Sequence, residues 1–184
     1  MCGIVGLFIK DKALEPRLGE LTAGMLATMC ERGPDSAGFA VYGAPKSGKA
    51  KITLQSATPD KDFADLAKVI EREIDTKVKL DVKSTHAVLT CPAEKADAAR
   101  QAVREKFPDV RIMGSGEAIE IYKEVGWPTD VAKRFELSKM TGTHAIGHTR
   151  MATESAVTTL GAHPFSTGAD QCLVHNGSLS NHNN

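Results

Sequence analysis

Met1-Cys2-Gly3-Ile4-Val5-Gly6-Leu7-Phe8-Ile9 opens the chain, and its reading decides the fold. A short apolar run of this kind reads as a buried first strand. Cys2 stands at its very start. Excision of Met1 would leave one residue carrying both a thiol and a free α-amine. The amine titrates near ~8 and the thiol near ~8.5, so both lie within reach of physiological pH. A nucleophile whose own terminal amine serves as its base is a compact catalytic unit. Taken by itself, Cys2 also reads as an ordinary cysteine in a first strand, and the rest of the chain has to decide.

Composition narrows the class. The 184 residues allow one domain, or one domain carrying a sizeable insertion. With 41% hydrophobic and 25% charged residues and a formal net charge of +0, nothing favours a polyanionic partner. No basic stripe with interleaved aromatics points to nucleic acid. No apolar run approaches the ~18 residues of a membrane span. The first nine residues lack a basic flank and a cleavage site, so they do not read as a secretory signal. The four cysteines (Cys2, Cys30, Cys91, Cys172) form no CxxC pair. They imply no zinc site and no disulfide framework, and a reducing cytoplasm is the expected compartment. The histidines His86, His144 and His182 have no metal-ligand spacing either. Cys30, Cys91 and Cys172 read as inert core thiols.

Working outward from the first strand, apolar residues at Leu14, Leu18, Leu21, Met25 and Met29 form one stripe of a helix, with Pro16 in its first turn. Residues 38–42 read as a strand. Gly43-Ala44-Pro45-Lys46-Ser47-Gly48-Lys49 is a linker by composition. Residues 50–124 then repeat a separate pattern. A strand at Ile52 and Leu54 precedes a helix at Phe63, Leu66, Ala67, Ile70 and Ile74. Two strands follow, at 78–82 and 86–90, then a helix ending at Phe107. One or two last strands fall at Val110, Ile112, Ile119 and Ile121. The order strand–helix–strand–strand–helix–strand is that of a ferredoxin-like βαββαβ unit. We expect an insertion at 50–124 within a core made of 1–49 and 125–184, the alternative being elaborate hairpins on the main sheet. A helix over 129–140 and strands at 144–149 and 171–175 complete the core.

Four segments carry the chemistry: Cys2-Gly3-Ile4-Val5-Gly6, Arg32-Gly33-Pro34-Asp35-Ser36-Ala37-Gly38, Gly147-His148-Thr149-Arg150-Met151-Ala152-Thr153, and His175-Asn176-Gly177. Alone, each is weak: Asn176-Gly177 also reads as a hairpin turn, and His148 and His175 read as hydrogen-bonded structural residues. In this order, with cysteine at position 2, they resemble the class II glutamine amidotransferases, whose glutaminase domains are N-terminal-nucleophile (Ntn) hydrolases. The match covers residues 1–43 and 141–184. It implies an α+β fold, an αββα sandwich, and hydrolysis of L-glutamine to glutamate and ammonia.

The resemblance also implies roles. Cys2 would attack the glutamine side-chain amide, with its α-amine moving the proton. Asn176 and Gly177 would form the oxyanion hole, where one donor is worth about 3 kcal/mol in the transition state. Arg150 would clamp the α-carboxylate, a task suited to a planar guanidinium. Thr153 would add a hydroxyl, and His163 would stand beside the substrate. Arg32 and Asp35 would support the nucleophile from behind. No cofactor or metal is called for on this chain.

Two departures bear on the expectation. The chain stops soon after Asn176-Gly177, and no acidic residue can be assigned to the glutamine α-ammonium. An N-terminal fragment of a longer domain is therefore expected, with weak activity in isolation. Residues 147–155 and the insertion are most similar to stand-alone amidotransferase subunits of glutamate synthase-type complexes. There the ammonia would pass to a synthase partner carrying flavin and iron–sulfur centres. Phosphosugar aminotransferases, asparagine synthetases and purine-pathway amidotransferases are the other acceptor types. The competing readings are another Ntn-type amidase, and a non-catalytic structural or regulatory subunit.

Overall fold

The computed structural model describes residues 1–152 and 156–177. Its strands and helices run β1 (Gly3–Phe8), α1 (Leu18–Thr28), β2 (Ser36–Tyr42), β3 (Lys49–Gln55), α2 (Pro59–Asp62), α3 (Leu66–Ile74), β4 (Lys79–Lys83), β5 (His86–Pro92), α4 (Ala96–Lys106), β6 (Arg111–Gly116), β7 (Ile119–Val125), α5 (Pro128–Arg134), β8 (His144–Arg150), β9 (Phe165–Gly168) and β10 (Gln171–Leu173). The fold is α+β with antiparallel sheets. Among the described residues no helix is long and apolar enough to cross a membrane.

β1, β8, β2 and β7 form one four-stranded sheet in that order, antiparallel throughout. Side chains alternate across a strand, so each strand has two faces. Val5 of β1, with Phe39 and Val41 of β2, joins Leu18, Leu26, Val131 and Phe135 in the first core. α1 and α5 thus cover that face. On the other face, Ala40, Ile119 and Ile121 pack with Met113 of β6 and with Cys172. The cover does not reach β1, where Ile4 is 42% and Phe8 67% exposed. The first strand is half-buried, not buried on both faces as its apolar run implies.

β4, β5, β3 and β6 make a second antiparallel sheet in that order. Leu66, Ile70 and Ile74 of α3 meet Ala99 and Val103 of α4 and Ile52, Leu54 and Leu89 of the sheet in a core of their own. The helical spacing at 66, 70 and 74 brings one stripe inward. The unit is not detached from the rest. His86 and Val88 of β5 reach the first core, where His86 lies edge-on to Phe135 with centroids 4.8 Å apart. Lys51 pairs with Glu120 across the two sheets at 2.7 Å. Buried Glu124 accepts from Thr85 Oγ1 at 2.8 Å and from Thr159 Oγ1.

Several elements differ from the sequence expectation. The strand at 119 and 121 exists, but it pairs with β2 and not with β6, so strand pairing divides the two sheets between Gly116 and Ile119. The first helix begins as a 3-10 turn over Lys12–Arg17 that contains Pro16. That shifts the phase of the α-helix, whose buried positions are Leu18, Gly19, Thr22 and Leu26. The last helix ends at Arg134, because Glu136 adopts left-handed φ of 55°. At the C-terminal side, residues 171–173 pair, among the described residues, with β9 alone, in a largely exposed two-stranded ribbon.

Gly19 shows how tightly α1 is seated. A Cβ there would collide with the carbonyl oxygen of Leu137, and the Gly19 N–H donates to Met140 O at 2.9 Å. Alanine normally stabilises a helix over glycine by about 1 kcal/mol. Here we expect Gly19→Ala to lose about 2–3 kcal/mol instead, through overpacking, as read by urea denaturation. An unchanged or raised midpoint would contradict this packing.

Candidate active site

The register of the first sheet builds the site. Ile4 pairs with His148, His148 with Gly38, and Gly38 with Lys123, so these four residues form one row across the sheet. Alternation puts the row containing Ser36 and Arg150 on the same face, one step along. Gly3 pairs with Thr149, and continuing that antiparallel register sets Cys2 opposite Arg150. The start of β1 and the end of β8 therefore bring the backbones of Cys2 and Arg150 to one corner of the sheet.

Glycine is required twice near that corner. A Cβ on Gly38 would collide with the His163 carbonyl oxygen, so the 162–164 segment lies directly on the sheet at this gap. A Cβ on Gly33 would collide with the backbone of Thr149. The turn at 32–36 is thereby pressed against β8. Asp35 fastens it: its N–H donates to Arg150 O at 3.1 Å, and its carboxylate accepts from Ala152 N at 2.7 Å.

Cys2 is half-buried, and its Sγ lies 3.9 Å from Met151 O. The Met1 α-amine sits 2.9 Å from Met151 Sδ, with Met1 76% exposed. Asn176 Nδ2 donates to Cys2 O at 3.1 Å, joining residues 174 positions apart. Gly177 follows at φ 135°, a conformation that favours glycine. Arg150 Nη1 donates to Ala156 O at 3.2 Å, and Gly161 lies close to the same group. The His163 ring lies tilted against that of His148 with centroids 4.4 Å apart. The Arg32 side chain is exposed and makes no hydrogen bond or ion pair among the described residues, while its N–H donates to Met29 O. Thr153 lies outside the described residues. So Cys2, Arg150, Asn176, Gly177 and Asp35 come together through β1, β8 and the segment after β10. His163 joins the same face one row away.

Three histidines crowd this face, and each has a buried ring nitrogen with no partner among the described residues: His148 Nδ1, His163 Nδ1 and His175 Nε2. His148 Nε2 is 2.9 Å from His175 O, which ties the segment before Asn176 to the central strand. Burial pushes the His148 pKa down to about 4 and the His163 pKa down to about 3, with nearby cationic groups adding to the effect on both. Both rings are neutral at physiological pH.

Lys123 was not singled out from the sequence. It is 3% exposed, its ammonium donates to Ala162 O at 2.7 Å and Leu160 O at 3.2 Å, and it lies 4.3 Å from the Phe165 ring centroid. It braces the segment that carries His163, and burial lowers its pKa to about 8. One signal existed: Lys123 continues the inward phase of Ile119 and Ile121, so a cation falls at a core position. Among the described residues no group of three or more His, Cys, Asp or Glu is arranged to hold a metal ion. Cys172 is half-buried, 3.5 Å from Tyr42 Oη, whereas Cys30 and Cys91 are buried.

No family model matches the chain. It is similar, at 62% identity over 184 residues, to the glutamine amidotransferase-like protein GlxB of Rhizobium meliloti (strain 1021), covering 100% of this chain and 61% of that protein. A Methanothermobacter thermautotrophicus protein provisionally named a glutamine amidotransferase is 32% identical over 192 residues, covering 99% of this chain and 63% of its own length. The chain thus spans less than two thirds of either relative. A shorter similarity, 36% identity over 67 residues, links 36% of the chain to 11% of a glutamine–fructose-6-phosphate aminotransferase of Methanococcus maripaludis.

The neutral histidines set a pH dependence. Unfolded histidine binds its proton near ~6.5, well above the folded values of about 4 and about 3. Between those limits the unfolded chain holds more protons, so stability falls as pH drops below ~6.5. Denaturation midpoints at pH 7.5 and pH 5 should differ in that direction, and His163→Phe should flatten the dependence. A midpoint that rises on acidification would contradict this environment.

Proposed function

We propose that this chain carries the glutaminase half-reaction of a class II glutamine amidotransferase, hydrolysing L-glutamine to glutamate and ammonia. One observation carries the reading. The Asn176 amide lies 3.1 Å from the backbone of Cys2, in the corner where β1 and β8 bring Cys2 and Arg150 together. A thiol, an amide donor and a guanidinium are the groups that acyl transfer from an amino-acid amide needs. The printed names of the two relatives matched over nearly the whole chain support the same substrate.

Met1 is removed first, and its exposure suits excision. The thiol proton then moves to the Cys2 α-amine, and Sγ attacks the side-chain amide carbon of glutamine. Asn176 Nδ2 and the Gly177 N–H stabilise the oxyanion. The C–N bond breaks as the protonated amine returns the proton to nitrogen, so ammonia leaves and a γ-glutamyl thioester stays on Cys2. Water adds to the thioester with the amine as base, and glutamate departs as the thiol re-forms. Arg150 pairs with the substrate α-carboxylate, with Thr153 and His163 beside it. Asp35 and Arg32 position the turn behind the nucleophile. The chemistry asks for no cofactor on this chain.

In this reading the β1-β8-β2-β7 sheet is half of an αββα sandwich. Exposed Ile4 and Phe8 support a further layer over that face. The second sheet is then an inserted ferredoxin-like unit, supported by its β4-β5-β3-β6 order and antiparallel pairing. We put its later boundary at the link between β6 and β7 rather than at residue 124, a reading supported by the pairing of β7 with β2. Ammonia passes to a synthase partner. A flavin and iron–sulfur subunit of glutamate synthase type is the acceptor we favour.

Steady-state glutaminase assays test the roles separately. Cys2→Ser should abolish turnover with the fold retained by circular dichroism. Asn176→Ala should lower kcat by about 10²–10³, and Arg150→Ala should chiefly raise KM. Full activity in Cys2→Ser would falsify the assignment, and an unchanged KM would remove Arg150 from the carboxylate role.

A further inference from the structure

We infer that the cleft between α4, β6 and the β9–β10 ribbon binds a small oxyanion, the phosphate or carboxylate group of a small molecule. The inference stands apart from the glutaminase reading and uses none of its residues. The cleft measures about 180 Å³. Arg100, Arg104, Ser115 and Ser166 line it, with the backbone of Gly114 and Gly168 between them.

Arg100 and Arg104 stand four residues apart on α4, so both present their guanidinium groups from one side of the helix. Like charges at that spacing repel unless something negative lies between them. The carboxylates on these elements are already engaged. Asp97 pairs with Arg100 Nη2, Glu105 accepts from Gln101 Nε2 at 2.8 Å, and Asp170 accepts the backbone N–H groups of Glu117, Ala118 and Ile119. Arg104 is exposed and makes no ion pair among the described residues. Of the two guanidinium groups on this wall, that of Arg104 is left without an ion pair by these contacts.

Arg100 is pre-aimed. Its Nη1 donates to buried Ser115 Oγ at 2.9 Å, which fixes the guanidinium, while its Nε is buried with no partner among the described residues. An unsatisfied buried donor on a cation is costly, and an oxyanion is the acceptor that suits a guanidinium fork. On the opposite wall, the Ser166 hydroxyl is exposed and donates only a long 3.3 Å bond to Gly168 O. Glycine at 114 keeps that wall close, since a Cβ there would come within 2.8 Å of Ile121 Cδ1 and 3.7 Å of Ser166 Cβ. A bound anion would bridge the second sheet to the ribbon, and the chain leaves that ribbon toward His175 and Asn176.

Calorimetric titration of the full chain tests this, with inorganic phosphate in one arm and succinate in the other. Chloride holds ionic strength constant throughout. We expect saturable binding of at least one anion, the tighter arm naming the group. Arg104→Gln should weaken it about tenfold or more, while Arg72→Gln, exposed on α3 with the same charge change, should leave it intact. Arg104 is exposed, so its replacement should not disturb the fold, which an unchanged melting temperature would check. Absence of saturable binding in both arms, or equal weakening by the two substitutions, would overturn the proposal.

Discussion

The pairing of β8 with both β1 and β2 is the constraint on which the rest depends. A sheet has a side-chain period of two, so a slip of one residue would turn every side chain to the opposite face. The observed register sets His148 between Ile4 and Gly38, and Arg150 against Ser36. With one slip, His148 would enter the core under α1 and Gly147 would face His163. The present register is held by shape as well as by hydrogen bonds. A Cβ on Gly147 would come within 2.9 Å of Val5 Cγ2 and 3.0 Å of Leu26 Cδ2, and one on Gly3 within 2.8 Å of Thr149 Oγ1. Glycines at the points of closest approach let α1 and the 29–33 turn sit down on the sheet. The corner holding Cys2 inherits its geometry from that fit.

Polar groups then build the outer face. Buried polar atoms are tolerated where they are hydrogen-bonded, and Lys123 meets that condition through two carbonyls of the 160–162 segment. Three histidine nitrogens on the same face have no such partner among the described residues. Buried groups left unsatisfied cluster where function requires them, which agrees with a substrate face more than with a finished core. Across the molecule, Lys51–Glu120 and the Glu124 carboxylate join the second sheet to the first at half-buried or buried positions. Such bonds fix orientation more than they add stability. The second sheet is in this way fastened to β7, whose Lys123 braces the site.

Much of this was legible in the sequence because it follows from period and spacing. Alternation at Ile52 and Leu54 marked β3, alternation over 78–82 marked β4, and the spacing of Leu66, Ile70 and Ile74 marked α3. Cys2, Arg150 and Asn176 stood out as chemistry-bearing types at strand ends. Other features depend on tertiary contacts that no local pattern carries. The 3-10 turn over Lys12–Arg17, capped by Asp11 and containing Pro16, set the buried face of α1 at Leu18, Thr22 and Leu26. β9 was missed because Phe165-Ser166-Thr167-Gly168 is short, exposed and barely alternating. The partner of β7 was missed because Ile119 and Ile121 suit either sheet, and the choice rests on contacts with β2. Arg32 is tied in through its backbone, whose N–H donates to Met29 O, a contact that residue type alone does not announce.

The central claim is that Cys2 becomes an N-terminal nucleophile in a glutamine-shaped pocket. Intact-mass spectrometry of the purified chain, before and after exposure to the glutamine-mimicking alkylator 6-diazo-5-oxo-norleucine, addresses it most directly. The account predicts a chain lacking Met1 that gains a single adduct, mapped by peptide sequencing to Cys2 and blocked by excess glutamine. A chain that keeps Met1, or an adduct that falls on Cys30, Cys91 or Cys172 and ignores glutamine, would contradict it.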